Sequence, residues 1–276
     1  MRFSSSISPQ DERGAQYHIQ CKAGDVARYV LLPGDPDRVD VISSLWEERR
    51  EVAYHREFKT HTGKYKGVDI SATSTGIGSP SAVIALEELA RIGADTFIRV
   101  GSTGAIQPEI GIGDLIISSA AVRLEGTSKE YVRKEYPASA NYEVLLALIE
   151  AAETLGMKYH VGITASTDSF YLGQGRPGYR GYQQSFSKLL LDDLRRAKVL
   201  NFEMEASAIF TVANLYGLRA GSIAIVFANR ITDEFEVVDQ ISVAKVANEA
   251  VKILYEWDNT KREKRKKHFH PSLVLK

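Results

Sequence analysis

The feature that most constrains this chain is alternation. Short apolar runs rich in β-branched residues trade places with stretches whose apolar residues recur at helical spacing. Residues 27–32 (ARYVLL), 68–75 and 96–100 have the density of buried strands. Between the last two, residues 80–93 put Val83, Leu86, Leu89 and Ala90 on one helical face, and Pro80 suits a first turn. Residues 141–155 repeat the pattern, with Asn141 as N-cap, Leu145, Leu148, Ile149, Ala152 and Leu155 as the stripe, and Gly156 at the end. Later strands are predicted at 159–165, 199–202 and 222–228, and later helices at 185–197, 205–216 and 242–257. This predicts the α/β class: a mainly parallel or mixed sheet with helices on both faces, in three α/β/α layers. No linker-like stretch or internal repeat interrupts the pattern. One domain is expected over residues 17–258, after an arm (1–16) and before a basic tail (259–276).

Charge narrows the function classes. Lys plus Arg and Asp plus Glu number 35 each, so no whole-chain field attracts polyanions, and a nucleic-acid partner is not expected. The run Lys261–Arg262–Glu263–Lys264–Arg265–Lys266–Lys267 reads as a solvated, frayed tail. The single cysteine, Cys21, excludes an internal disulfide and any cysteine-rich metal motif. The N-terminus carries no apolar core of a signal peptide, and no apolar run approaches the ~20 residues that span a bilayer. No membrane association is expected, and the cytoplasm is the expected compartment.

Four motifs carry chemistry. In Gly34-Asp35-Pro36-Asp37-Arg38, directly after a strand, Asp35 can cap a helix that starts at Pro36. Free amides at such a start attract anions, and Arg38 adds a guanidinium fork. A plain strand–turn–helix junction remains the alternative. In Arg99-Val100-Gly101-Ser102-Thr103-Gly104-Ala105, an arginine ends a buried strand. It is costly there unless it binds an anion or pairs with a core carboxylate. The glycines and hydroxyls after it expose donors at the carboxyl edge of a sheet, where open α/β folds bind ligands. Asn201-Phe202-Glu203-Met204-Glu205 places two acceptors at a strand-to-helix boundary, suited to sugar hydroxyls or simply to a helix start. In the segment 168–176 (DSFYLGQGR), Phe170 can stack on a base, Gln174 both donates and accepts, and Arg176 only donates.

These stretches, together with HREF (55–58), STGIGSPS (74–81) and ANR (228–230), resemble the nucleoside phosphorylase-I family, in its order, from about Tyr17 to Trp257. The resemblance implies a partly barrel-like central sheet. It also implies reversible phosphorolysis of uridine and related pyrimidine nucleosides to uracil and ribose 1-phosphate. By position, Gly34, Arg38, Arg99 and Ser102 resemble phosphate ligands, with Arg56 reaching in from a neighbouring subunit. His18 resembles a residue that a neighbour lends to the ribose. Met204 and Glu205 resemble ribose ligands, with Glu203 and Ser102 beside them. Phe170, Gln174 and Arg176 resemble a uracil pocket, with Arg230 supporting it. Glu57, Ile77 and Ser81 match positions that hold a structural potassium ion between subunits in some members. Borrowed residues imply a site-sharing dimer, within the family's usual hexamer of three dimers. Inorganic phosphate is the co-substrate, and no cofactor or catalytic metal is required.

Ser102 stands where threonine is more usual, and His18 lies closer to Gly34 than the family pattern sets. The expected chemistry is displacement at the anomeric carbon through an oxocarbenium-like state, with Arg99, Glu205, Arg176 and Gln174 as the catalytic set. Three alternatives stay open on sequence: a purine nucleoside or methylthioadenosine phosphorylase of the same family, a nucleosidase that uses water, and a non-catalytic nucleoside-binding protein. Asn229-Arg230 at the end of the late strand, with Asp233 beyond, favours the pyrimidine reading over the purine one.

Overall fold

The computed structural model describes residues 5–274; residues 1–4 of the expected arm and 275–276 of the expected tail lie outside the described residues. The chain runs β1 (Tyr29–Pro33), α1 (Pro36–Ser43), β2 (Glu48–His55), β3 (Phe58–Tyr65), β4 (Val68–Thr73), α2 (Ser79–Arg91), β5 (Thr96–Ala105), β6 (Leu115–Arg123), α3 (Thr127–Tyr131) and β7 (Ala138–Ser139). It continues through α4 (Tyr142–Thr154), β8 (Tyr159–Ser166), α5 (Ser185–Arg196), β9 (Val199–Glu203), α6 (Ala206–Leu215), β10 (Arg219–Asn229), β11 (Glu234–Phe235) and α7 (Ile241–Glu263).

All eleven strands share one mixed sheet. Its path is β11-β10-β6-β8-β9-β5-β1-β4-β3-β2, and β10 also pairs with β5, which closes β5, β10, β6, β8 and β9 into a ring. The barrel-like part is this ring, and β1, β4, β3 and β2 extend it as an open sheet. Strand β5 joins both halves. It is parallel to β1 over Thr96–Val100 and to β10 along its length, and antiparallel to β9 at its last two residues, Gly104 and Ala105.

Alternating side chains of the central strands supply two cores. Leu31, Ile98, Val100, Ile223 and Ile225 pack toward α4 and α7. Val30, Leu32 and Phe97 pack the opposite way, toward α2 and α6. Burial on both faces explains why these strands read as continuous apolar runs. The helices follow from their stripes: in α4, Val144, Ala147, Leu148, Ala151 and Ala152 are buried, and Asn141 caps the start by accepting from the amides of Glu143 and Val144.

Strand β2 had no such signal. Its sequence ERREVAYH is charged and largely exposed, as suits the edge of a sheet. No helix among the described residues is long and apolar enough to cross a membrane.

The C-terminal segment corrects the expectation of a frayed tail. Helix α7 continues to Glu263, and the chain then folds back so that the Phe269 ring stacks on Trp257 at 3.8 Å between centroids. The Phe269 amide donates to Glu143 Oε1 at 3.0 Å, and Leu273 is buried. Lys261, first of the basic run, donates to Glu143 beside a largely buried group in which Arg219 grips Asp258 at 2.7 and 2.9 Å. A count of charges could not reveal these partners, because both carboxylates lie far off in sequence or on the preceding helical turn.

Candidate active site

The carboxyl ends of β1, β5, β9 and β10 meet around a cavity of about 710 Å³. Gly34, Arg38, Arg99, Ser102, Glu203, Met204, Glu205, Phe170, Gln174 and Arg176 all line it.

Helix α1 begins as the motif predicted. Asp35 caps it by accepting from the Asp37 amide at 3.0 Å, and Pro36 occupies the first turn. This puts Arg38 on the buried side, where Nη1 donates to the Val100 carbonyl at 3.0 Å and Nε donates to Gln240. Burial, reinforced by the neighbouring charge of Arg99, pushes the Arg38 guanidinium down to about 10. Two guanidinium groups therefore share one wall, each raising the cost of the other's charge. An anion between them lowers that cost for both.

Arg99 is buried and doubly paired. Its Nε donates to Glu203 Oε2 at 2.7 Å, and its Nη2 pairs with Glu205. The core ion pair that the sequence left open is thus present, beside a cavity wall. Nη1 remains, buried and with no hydrogen-bond partner among the described residues. An unmatched donor at this position fits a phosphate oxygen. The turn of the guanidinium depends on Gly101, where a Cβ would stand 3.1 Å from Arg99 Nη2.

The two glutamates differ. Glu203 accepts from Arg99 Nε, from the amides of Glu205 and Ala206 at 2.9 Å each, and from Ser166 Oγ. Both its oxygens are engaged within the protein, so it braces Arg99 and the start of α6. Expected as a ribose neighbour, it lines the cavity and also supports Arg99. Glu205 accepts from the Gly78 amide at 2.6 Å and the Met204 amide at 3.2 Å. Burial raises its carboxyl above the ordinary range; Arg99 opposes this and Glu203 adds to it.

The segment after β8 forms the other end of the cavity. Arg176 lies over the Phe170 ring at 3.9 Å, and its Nη1 donates to the Phe170 carbonyl at 2.6 Å and to Gln174 Oε1. Arg230 does not line the cavity. It donates to the Gln174 carbonyl at 3.0 Å and so holds this turn in place. Burial, with the nearby Arg230 charge, pushes Arg176 down to about 10.

His18 and Arg56 lie outside the cavity of their own chain. They form one unit: Arg56 Nη2 donates to Tyr17 Oη at 3.2 Å, His55 Nδ1 contacts the His18 carbonyl oxygen at 3.0 Å, and His18 Nδ1 pairs with Glu88 at 2.7 Å. Arg56 sits at the β2–β3 turn with φ of 55°. Ser81 Oγ donates to Glu57 Oε1 at 2.9 Å, and Ile77, strongly exposed, stands on the cavity rim.

Sequence reasoning missed Gln240, Phe227, Phe235 and Val237, all on the cavity wall. The last two are exposed, Phe235 in the two-residue strand β11 and Val237 just after it, too short a stretch to show any period.

Fold and cavity together define a mixed α/β protein in which Arg38 and Arg99 line one cavity with the carboxylate of Glu205. The chain belongs to the phosphorylase superfamily, whose sequence profile matches residues 28–256. It is 69% identical over 272 residues to the uridine phosphorylase of Thermococcus kodakarensis, covering 99% of this chain and 98% of that one. It is 41% identical over 243 residues to the uridine phosphorylase of Escherichia coli, covering 87% and 95%. A guanosine phosphorylase from Halorubrum lacusprofundi is 41% identical over 216 residues, covering 78% and 84%.

Proposed function

We propose that this chain is a pentosyltransferase that catalyses reversible phosphorolysis of uridine, with inorganic phosphate as co-substrate and no cofactor. The observation that carries the reading is the order of groups along one cavity: Arg38 and Arg99, then Glu205, then Gln174 and Arg176. The names of the similar proteins agree with it.

In this reading phosphate sits between Arg38 and Arg99, with Gly34 and Ser102 as further donors. Glu205 and Met204 hold the ribose, and Phe170, Gln174 and Arg176 hold uracil. A phosphate oxygen bonds to the anomeric carbon as the bond to the base nitrogen breaks. The electron pair leaves with uracil, and positive charge builds on the sugar above the phosphate. Positioning of this kind supplies up to ~7–11 kcal/mol. Gln174 and Arg176 stabilise the departing anion by roughly 3–4 kcal/mol per well-placed donor.

Arg56 and His18, outside their own cavity, complete the site of a neighbour in a dimer, three of which form a hexamer. The hard oxygen donors of Glu57 and Ser81, with the Ile77 backbone, suit a potassium ion at that contact. The compartment is the cytoplasm.

The guanosine phosphorylase relative favours a second reading, phosphorolysis of a purine nucleoside. Against it, Asn229 at the end of β10 spends its amide on the carbonyls of Gln107 and Ile110 and its oxygen on the amides of Ile231 and Thr232. Among the described residues, the acids lining the cavity are Asp35, Glu203 and Glu205, at the phosphate and sugar end. No acid stands beside Gln174 to protonate a purine ring.

The test is base release from uridine, inosine and guanosine with and without phosphate. Uracil release that requires phosphate is the expected result. Release without phosphate would make the protein a nucleosidase, preference for guanosine or inosine would establish the purine reading, and binding without release would leave a nucleoside-binding protein.

A further inference from the structure

Glu125 is fully buried at the end of the β6 segment, and among the described residues it forms no ion pair. Such a group is costly to keep unless its acceptors are filled. Three donors fill them. Ser207 Oγ donates to Oε1 at 2.9 Å, Ser128 Oγ donates to the same oxygen, and the Ser128 amide donates to Oε2 at 2.8 Å.

Ser207 lies in the first turn of α6, two residues beyond Glu205. Its amide donates to Ser166 Oγ at 2.9 Å, and Ser166 Oγ in turn donates to Glu203, which grips Arg99. Ser166, Ser207 and Glu125 are all inaccessible to solvent. A line of hydrogen bonds, joined through the covalent frames of Ser207 and Glu203, thus runs from Glu125 to the guanidinium of Arg99. Each hydroxyl proton in it has a defined acceptor, since every carboxylate along the line can only accept.

We infer that Glu125 is a positioning residue for phosphorolysis: through Ser207 it pins the first turn of α6, and through Ser166 and Glu203 it sets the angle at which Arg99 meets phosphate. Glu125 touches neither substrate, and the inference rests on the reading of Arg99 as a phosphate ligand. The base end of the cavity is held chiefly by Arg230 and Arg176, and its tie to this region, the Gly126 amide on Asp168, is a backbone-amide bond that neither variant removes, so loosening this line disturbs phosphate more than base.

The experiment compares wild type, Glu125→Gln and Ser207→Ala in steady-state phosphorolysis, varying phosphate and uridine in turn, with thermal melting alongside. Glutamine keeps the shape of Glu125 but must place an N–H₂ against one of three donors. Ser207→Ala removes one link and leaves the carboxylate and Ser128 in place. The expected result is a fall of roughly tenfold or more in kcat/KM for phosphate in both variants, with a clearly smaller rise in the uridine KM, transmitted through the Arg99–Glu205 pair. Unchanged phosphate kinetics in a folded variant would overturn the inference. So would equal losses for both substrates that track a lower melting temperature, because a purely structural role would produce them. Should Glu125→Gln not fold, Ser207→Ala decides alone by the same criteria. Wild type inactive toward uridine with phosphate would instead refute the functional reading beneath it.

Discussion

Arg99 and Glu205 are joined as one buried ion pair through Nη2 of the arginine, so the group assigned to phosphate and the group assigned to ribose hold each other. Neither can turn alone. Arg38, by contrast, leans on a backbone carbonyl and on Gln240. The two arginines should therefore respond differently to removal.

Arg38→Ala should lower kcat/KM for phosphate on the order of 10²–10³-fold, as for loss of a charge-stabilising donor, with little change in melting. Arg99→Ala should lose comparable activity and in addition about 3–5 kcal/mol of stability, because it strands Glu203 and Glu205 as buried, unpaired carboxylates. Chemical denaturation beside steady-state kinetics separates the two. Equal stability of both variants would contradict the pairing.

Glu205 predicts a pH dependence. Burial raises its carboxyl above the ordinary value of 4.5, and only the ionised form offers both oxygens as acceptors to sugar hydroxyls and keeps the charge opposite Arg99. Activity should then fall as pH drops through that raised value, giving an acid limb above the ordinary carboxylate range. Glu205→Gln should cost activity at every pH and erase the limb. A limb unchanged in that variant would assign the titration elsewhere.

The placement of Arg56 predicts complementation. Arg38→Ala spoils a subunit's own site, and Arg56→Ala spoils its neighbour's. Neither should be active alone. Co-expressed, a mixed dimer holds one site with both arginines intact, so random pairing restores about a quarter of wild-type sites. Activity of the mixture equal to the mean of the separate variants would show that Arg56 is not shared.

The folded-back C-terminus predicts a stability effect without a catalytic one. Phe269→Ala should cost about 3–5 kcal/mol, as for a buried aromatic, with uridine KM unchanged. Asp258 beside it is pulled below its ordinary 3.8: burial opposes, but Arg219's hydrogen bonds and charge outweigh it. A depressed carboxyl gives stability that is complete above the unfolded value and lost as pH falls through the folded one. Melting temperature should decline below about pH 4 in wild type, and less steeply in Asp258→Asn. A parallel decline in both would exclude this pair as its source.

Much of this was legible in sequence, and the limits are instructive. Strands such as Tyr29–Pro33 announced themselves, because no position there lets a polar side chain meet water, whereas β6 (Leu115–Arg123), continuously buried only at its start, was missed. The caps at Asp35 and Asn141 were legible because capping is a local hydrogen bond. Strand β2 was not, since an edge strand needs only one partner and tolerates Glu48, Arg49 and Arg50. Individual site motifs marked Arg99 and Glu205 as costly residues but could not say that they pair with one another across 106 positions of chain. That depends on the antiparallel meeting of β5 and β9, which no local pattern encodes. For the same reason the donors that fill the Glu203 oxygens, from Arg99, Ser166 and two amides, were not legible.

A strand that belongs both to a closed ring and to an open sheet cannot slip in register without breaking pairs on either side. Strand β5 is such a strand, and Arg99 and Ser102 are carried on it. Arg99 is thereby held by pairings on both sides of its strand, to β1 and β10, and Ser102 by the pairing to β10. Preference for one base over another has to be adjusted from the rim, where Phe235 and Val237 stand exposed and Phe170 carries Arg176 on its ring.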